Sequence, residues 1–138
     1  MKTPLKKIML VEDDPDIQLI TRLSLEVGGG YEVCVCASGA EAVQSAPAYA
    51  PDLILLDMMM PGMDGLATMD ALRRLPATAA TPMVFFTANT QGPVRQDLLR
   101  RGALGVIIKP VEPNALVEQI RALWQRFAPA SSSLISGR

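Results

Sequence analysis

The sequence predicts an α/β fold in which a parallel sheet of five strands is covered by helices on both faces. Two observations carry the prediction. Short apolar runs alternate five times with longer amphipathic stretches, and four of the five runs are followed at once by an acidic, hydroxyl or amino side chain. The length, 138 residues, suits one such domain with one core and is too short for two.

The runs are Lys7–Val11, Tyr31–Cys36, Leu53–Leu56, Met83–Phe86 and Gly105–Ile108, each of strand length. After the first, Asp14 is placed to cap a helix with Pro15 at its first position. Ile17, Ile20, Leu23 and Val27 would form its inward stripe, and Gly28-Gly29-Gly30 would end it. Ser38 and Glu41 have the spacing of a capping box for a second helix. A third is expected from about Leu66 to Leu75, stopping before Pro76. A fourth cannot start cleanly until Pro93, because Gly92-Pro93 interrupts the segment after Thr87. The fifth begins near Pro113, with Leu116, Ile120, Leu123 and Phe127 as its buried stripe and Trp124 partly covered beside it. Ala-Pro-Ala-Ser-Ser-Ser then marks a flexible tail or the start of a linker. The expected division is a folded domain over residues 1–127 and a tail over 128–138.

Composition narrows the function classes. Thirteen basic side chains against fourteen acidic ones create no overall positive field to hold nucleic acid or an anionic membrane, so proteins and small ions are the expected partners. The basic start, Met1 to Lys7, precedes an apolar run too short for a signal peptide, and no stretch approaches the ~20 apolar residues of a membrane span. A soluble, cytoplasmic protein is expected. Cys34 and Cys36 alternate with Val33 and Val35, which puts both thiols on one strand face as small hydrophobes. The chain contains no histidine, which removes Ser-His-Asp and Cys-His catalysis and leaves too few ligands for zinc. Arg73-Arg74 and Arg100-Arg101 are expected as solvated helix ends.

The chemistry collects at the strand ends. Glu12 and Asp13 follow the first run, Asp57 the third, Thr87 closes the fourth and Lys109 follows the fifth. An Asp after a strand is usually a turn former or helix cap, and a lone Thr or Lys there is usually solvated. Four such coincidences in strand order are hard to assign to that explanation, because ligands in open α/β sheets bind outside the carboxyl ends of the strands. Three carboxylates brought within ~4 Å repel by roughly 4 kcal/mol per pair at an effective dielectric near 20. Lys109 supplies one compensating charge, and a hard divalent cation with open water positions would supply the rest, which suits Mg²⁺. Asp57 beside such a cation, with Lys109 and the Thr87 hydroxyl as donors, is equipped to accept a phosphoryl group.

Val11-Glu12-Asp13-Asp14, the segment from Asp57-Met58-Met59-Met60-Pro61 to Gly65, Thr87-Ala88 and Lys109-Pro110 together resemble the receiver domain of bacterial two-component response regulators, over about Lys6 to Phe127. The resemblance implies the flavodoxin-like doubly wound sheet of order 2-1-3-4-5 with five helices. It implies Asp57 as phosphoacceptor, Glu12, Asp13 and Asp57 as Mg²⁺ ligands with the Met59 backbone carbonyl, Thr87 and Lys109 on the phosphoryl oxygens, and a cis Lys109–Pro110 bond. A histidine kinase or His-phosphotransfer protein would be the donor and a downstream protein the target, with the chain a monomer or a phosphorylation-dependent dimer. It would be a signalling domain rather than an enzyme, catalysing only its own phosphotransfer and slow autodephosphorylation.

Two rival functions share parts of this pattern. A Mg²⁺-dependent phosphatase of the haloacid-dehalogenase type also uses Asp, Thr, Lys and acidic ligands, but it places its nucleophile after the first strand with a second Asp two positions on. Here that position is Met59. A receiver that binds partners without phosphorylation is opposed by the full set of acids, Thr87 and Lys109. Neither Met59 nor Asn89 is suited to orient a hydrolytic water, so a long-lived phosphoryl group is expected. Typical receivers carry an aromatic switch residue three positions before the lysine, where this chain has Val106. The signal is therefore expected to run through residues 88–101, around Asn89, Gly92 and Pro93, with Val106 and the neighbourhood of Trp124 completing the docking surface. No output segment is evident after Phe127, so output by protein contact, without direct nucleic-acid binding, is expected.

Overall fold

A computed structural model describes residues 4–88 and 92–127. Its elements follow one another as β1 (Lys7–Val11), α1 (Pro15–Leu23), a single π turn (Ser24–Gly28), β2 (Glu32–Cys36), α2 (Gly39–Tyr49), β3 (Leu53–Leu56), α3 (Gly65–Arg73), β4 (Met83–Thr87), α4 (Gly92–Arg100), β5 (Gly105–Ile108) and α5 (Pro113–Phe127). All neighbouring strands are parallel, in the order β2-β1-β3-β4-β5. This is the expected sheet.

Strand alternation divides the core in two. On one face Met9, Val11, Ile54, Leu56 and Phe85 pack with Ala42 and Ala46 of α2, Met69 and Leu72 of α3 and Leu98 of α4. On the other, Ile8, Leu10, Leu53, Leu55, Val84 and Ile107 pack with Leu25 of the π turn and Leu116 and Ile120 of α5. Both faces of β3 and β4 are therefore lost to water, and truncating any of their Leu or Phe side chains to Ala would cost about 2–5 kcal/mol. Cys36 is buried and Cys34 half-buried, both as free thiols in the first cluster, as expected. Burial foremost, and then Cys34, pushes the Cys36 thiol up to about 12.

Two caps fall where the sequence places them, at Asp14 and Ser38, and Asp64 adds a third at the start of α3. Asp14 accepts from the amides of Asp16 and Ile17, Ser38 from Glu41 and Asp64 from Ala67. Glu41 returns its carboxylate to the Ala37 amide. Pro93 lies in the first turn of α4, one residue after Gly92 opens it.

Three expectations need correction. Of the stripe assigned to α1, Ile17 is half-buried, but Ile20, Leu23 and Val27 are 59%, 45% and 82% exposed; Thr21 and Leu25 are the buried residues. Helical rotation of 100° per residue carries Ile17 onto Thr21 rather than Ile20, and the wider π turn brings Leu25 round onto the sheet. In α5, Phe127 is 40% exposed, stacked obliquely on the half-buried Trp124, while Val117 is buried. Arg73 is half-buried rather than solvated, because its guanidinium donates to the carbonyls of Thr81 (2.7 Å) and Gly102 (3.2 Å).

Candidate functional site

Strand register brings the reactive residues together. Val11 pairs with Leu56 across β1 and β3, so Glu12 and Asp57 leave the sheet side by side, and the Asp57 amide donates to the Val11 carbonyl at 3.0 Å. Thr87 pairs with Ile108 across β4 and β5, and the Lys109 amide reaches the Thr87 carbonyl at 2.9 Å. The lysine follows through a cis Lys109–Pro110 peptide. Gly65 closes the floor: a side chain there would collide with the Asp57 carbonyl and the Met58 Cα, so only glycine lets α3 start so close to the loop after Asp57.

The charged groups are then held against one another. Glu12, Asp57 and Thr87 are 1%, 5% and 1% exposed. Carboxylate oxygens of Glu12, Asp13 and Asp57 lie within 4.8 Å of each other. Lys109 Nζ sits 2.6 Å from Glu12 Oε1 and 3.5 Å from Asp57 Oδ1, above the ring of Phe86. Burial, the strongest influence, raises the Glu12 carboxyl above its usual range against the opposing pull of Lys109 and the Asp14 amide. One ammonium among three carboxylates leaves a net negative pocket of hard oxygen donors, the donor set a small divalent cation takes. Asp57 Oδ1 also accepts from the Met59 amide at 3.3 Å, which places Met59 at the mouth, 71% exposed.

Residues 8–121 match the model of the response regulator receiver domain. The chain belongs to the response-regulator receiver family. The receiver is 33% identical over 136 residues to the DNA-binding response regulator MtrA of Mycolicibacterium smegmatis, a match covering 99% of this chain and 58% of the relative. It is 33% identical over 125 residues to the phosphate regulon transcriptional regulatory protein PhoB of Rhizobium meliloti, covering 91% and 55%. The receiver thus spans little more than half the length of the curated relatives it matches. Among solved structures, the chemotaxis protein CheY4 of Vibrio cholerae superposes with a TM-score of 0.80 at 29% identity, covering 87% of this receiver and 99% of that chain. A CheY-like receiver of Methanospirillum hungatei gives 0.78 at 28%, covering 89% and 96%.

The remaining sequence-singled residues are placed unequally. Asn89 lies outside the described residues, as does the tail over 128–138. Gly92 and Pro93 are exposed at the start of α4. Val106 is 7% exposed, at the floor of a groove between α4 and α5 lined by Arg95, Leu99 and Leu123, so it backs the surface rather than forming it. Ile108, 47% exposed, is the outward residue of β5. Sequence reasoning also missed Gln18, whose Nε2 donates to the Glu12 carbonyl at 2.6 Å and fixes the peptide that carries Asp13. Its position, four residues past the Asp14 cap, was the available signal.

Proposed function

We propose that Asp57 is the phosphoacceptor of this receiver and that Glu12, Asp13, Asp57 and the Met59 backbone carbonyl hold Mg²⁺. The observation that supports this best is the cluster of three carboxylates around one lysine at the carboxyl edge of the sheet. Such repulsion costs stability in the resting protein, and a cation together with an incoming phosphoryl group would use it. When bound, Mg²⁺ would supply neutralising charge to the phosphoryl oxygens. The Asp57 carboxylate oxygen bonds to phosphorus as the donor's P–N bond breaks, Lys109 Nζ turns from Glu12 to the phosphoryl oxygens, and the Thr87 hydroxyl donates to another.

The donor is a histidine kinase or His-phosphotransfer protein. Docking is supported by an apolar cavity of roughly 150 Å³ beside Lys109, walled by Ile17, Ile20, Phe86, Pro110 and Val111. The exposed Leu23 and Val27 continue this surface along the outer side of α1 and the π turn. We infer signalling without turnover of external substrates, and a cytoplasmic location; among the described residues no helix is long and apolar enough to cross a membrane. The expectation of no nucleic-acid contact has no support in the relatives, which carry DNA-binding and transcriptional names.

The test is chemical. A small acyl-phosphate donor with Mg²⁺ should place one phosphoryl group on Asp57, located by fragmentation mass spectrometry, and Asp57→Asn or a chelator should abolish it. Equal labelling of Asp57→Asn would overturn the assignment. Hydrolysis of an external phosphoester by the wild-type protein would revive the phosphatase alternative.

A further inference from the structure

Methionine is concentrated beside the acceptor: Met58, Met59 and Met60 follow Asp57 directly, and Met63 comes soon after. Their exposures differ sharply. Met9, Met69 and Met83 are 0–2% exposed and Met60 7%, Met58 and Met63 are half-buried, and Met59 is 71% exposed. Thioether oxidation follows access, and it turns an apolar tip into a polar, hydrogen-bond-accepting one. Among the described residues the one freely accessible thioether thus stands two positions past the acceptor, on the residue whose amide donates to Asp57 Oδ1.

We propose that Met59 is an oxidative modification site that sets how long the phosphoryl group stays on Asp57. The proposal rests on the reading of Asp57 as phosphoacceptor. A lone pair of the Met59 sulfur attacks a peroxide oxygen, the O–O bond breaks, a sulfoxide forms and water leaves; the sulfur is oxidised and the peroxide reduced. The buried methionines are shielded, so the core keeps its packing. Hydrolysis of the acyl phosphate requires a water in line behind phosphorus, whose attack breaks the P–O bond and frees the Asp57 carboxylate and inorganic phosphate. The thioether gives that water no strong acceptor. The sulfoxide oxygen does, and its three-bond stem can carry it over the carboxylate to which the Met59 amide is tied. The same signal would then be long-lived in reduced protein and brief in oxidised protein.

The protein is treated with hydrogen peroxide or left untreated, loaded with a small acyl-phosphate donor and Mg²⁺, freed of donor and followed by intact mass. The added oxygen should map to Met59 ahead of Met58, Met60 and Met63. The lifetime should fall severalfold, up to about tenfold, the worth of one hydrogen bond in the transition state. Methionine sulfoxide reductase should restore it. Met59→Gln, with a carbonyl near the sulfoxide position, should shorten the lifetime without peroxide. Met59→Leu, whatever its starting lifetime, should not respond to peroxide. An unchanged lifetime after full oxidation of Met59, or an equal response in Met59→Leu, would overturn the proposal alone. Failure to load Asp57 would overturn the phosphoacceptor assignment as well.

Discussion

The two ends of the sheet treat charge in opposite ways. At the amino ends of the strands, three charged side chains are matched to backbone: Asp52 accepts from the Lys6 and Lys7 amides, Lys7 Nζ donates to the Tyr49 carbonyl, and Arg73 bridges the Thr81 and Gly102 carbonyls. At the carboxyl ends, charged side chains face other charged side chains, with three carboxylates around one lysine. Charge met by neutral dipoles tightens a fold and asks for nothing further. Charge met by like charge is a standing demand for an ion or an anion-neutralising partner. Chemistry and stability are thus assigned to opposite edges of one sheet.

Substitutions at the two edges should therefore differ in kind. The largest effect is expected from Lys109→Met, which takes the single ammonium from the carboxyl edge. Phosphoryl uptake from a small donor should slow by about a hundredfold, and a rate near that of wild type would show that the lysine is only a counter-ion for Glu12. Next is Arg73→Met at the other edge, which leaves its carbonyls without a charged donor and should cost about 2 kcal/mol in urea unfolding. Its uptake rate per folded molecule should be unchanged; a slowed rate would mean the edges are coupled.

The pH dependence sharpens the contrast further. Burial holds the Glu12 carboxyl above its usual range, so the folded protein grips this proton more tightly than the unfolded chain does. The group's favourable contribution is complete below the unfolded value and is lost as pH rises through the raised folded one. In chelator, wild type should therefore lose stability relative to Glu12→Gln as pH climbs from the ordinary carboxyl range toward neutrality. The opposite slope would mean that Lys109 outweighs burial. Smallest is Asp13→Asn, which relieves one repulsion at an exposed position. A gain of at most about 1 kcal/mol is expected in metal-free protein, together with a smaller midpoint shift on titrating Mg²⁺ than the one expected of wild type.

The carboxyl edge was largely legible in the sequence because each of its groups follows a buried run, and parallel register then forces the runs to end together. The amino edge was not. Arg73 looks like any cation closing a helix, and only the return of the chain at Thr81 and Gly102 shows why it is half-buried. The orientation of α1 is hidden in the sequence for a different reason. Its apolar residues are numerous enough to draw two stripes, and sequence periodicity could not reveal the π turn that helps select Thr21 and Leu25 over Ile20 and Leu23. That position 106 is not aromatic is plain in the sequence, but its depth in the α4–α5 groove is not, because the groove is built by separate helices meeting over β5, with Leu123 so close to Gly105 that a side chain there would strike it.

The π turn at Ser24–Gly28 also bears on how the chain can change in length. A π turn holds a residue more than the regular ladder needs, and here it is followed by Gly29 and Gly30, the latter at a φ of 74°. Deleting one residue from it would return the helix to ordinary spacing with the glycines taking up the displacement. The same deletion inside β2 would reverse which side chains meet each helical layer, exchanging Cys34 and Cys36 for Val33 and Val35. Insertions and deletions of a single codon are therefore better absorbed at this bend than in the strand it feeds, and the helix carries the slack that keeps the edge of the sheet in step.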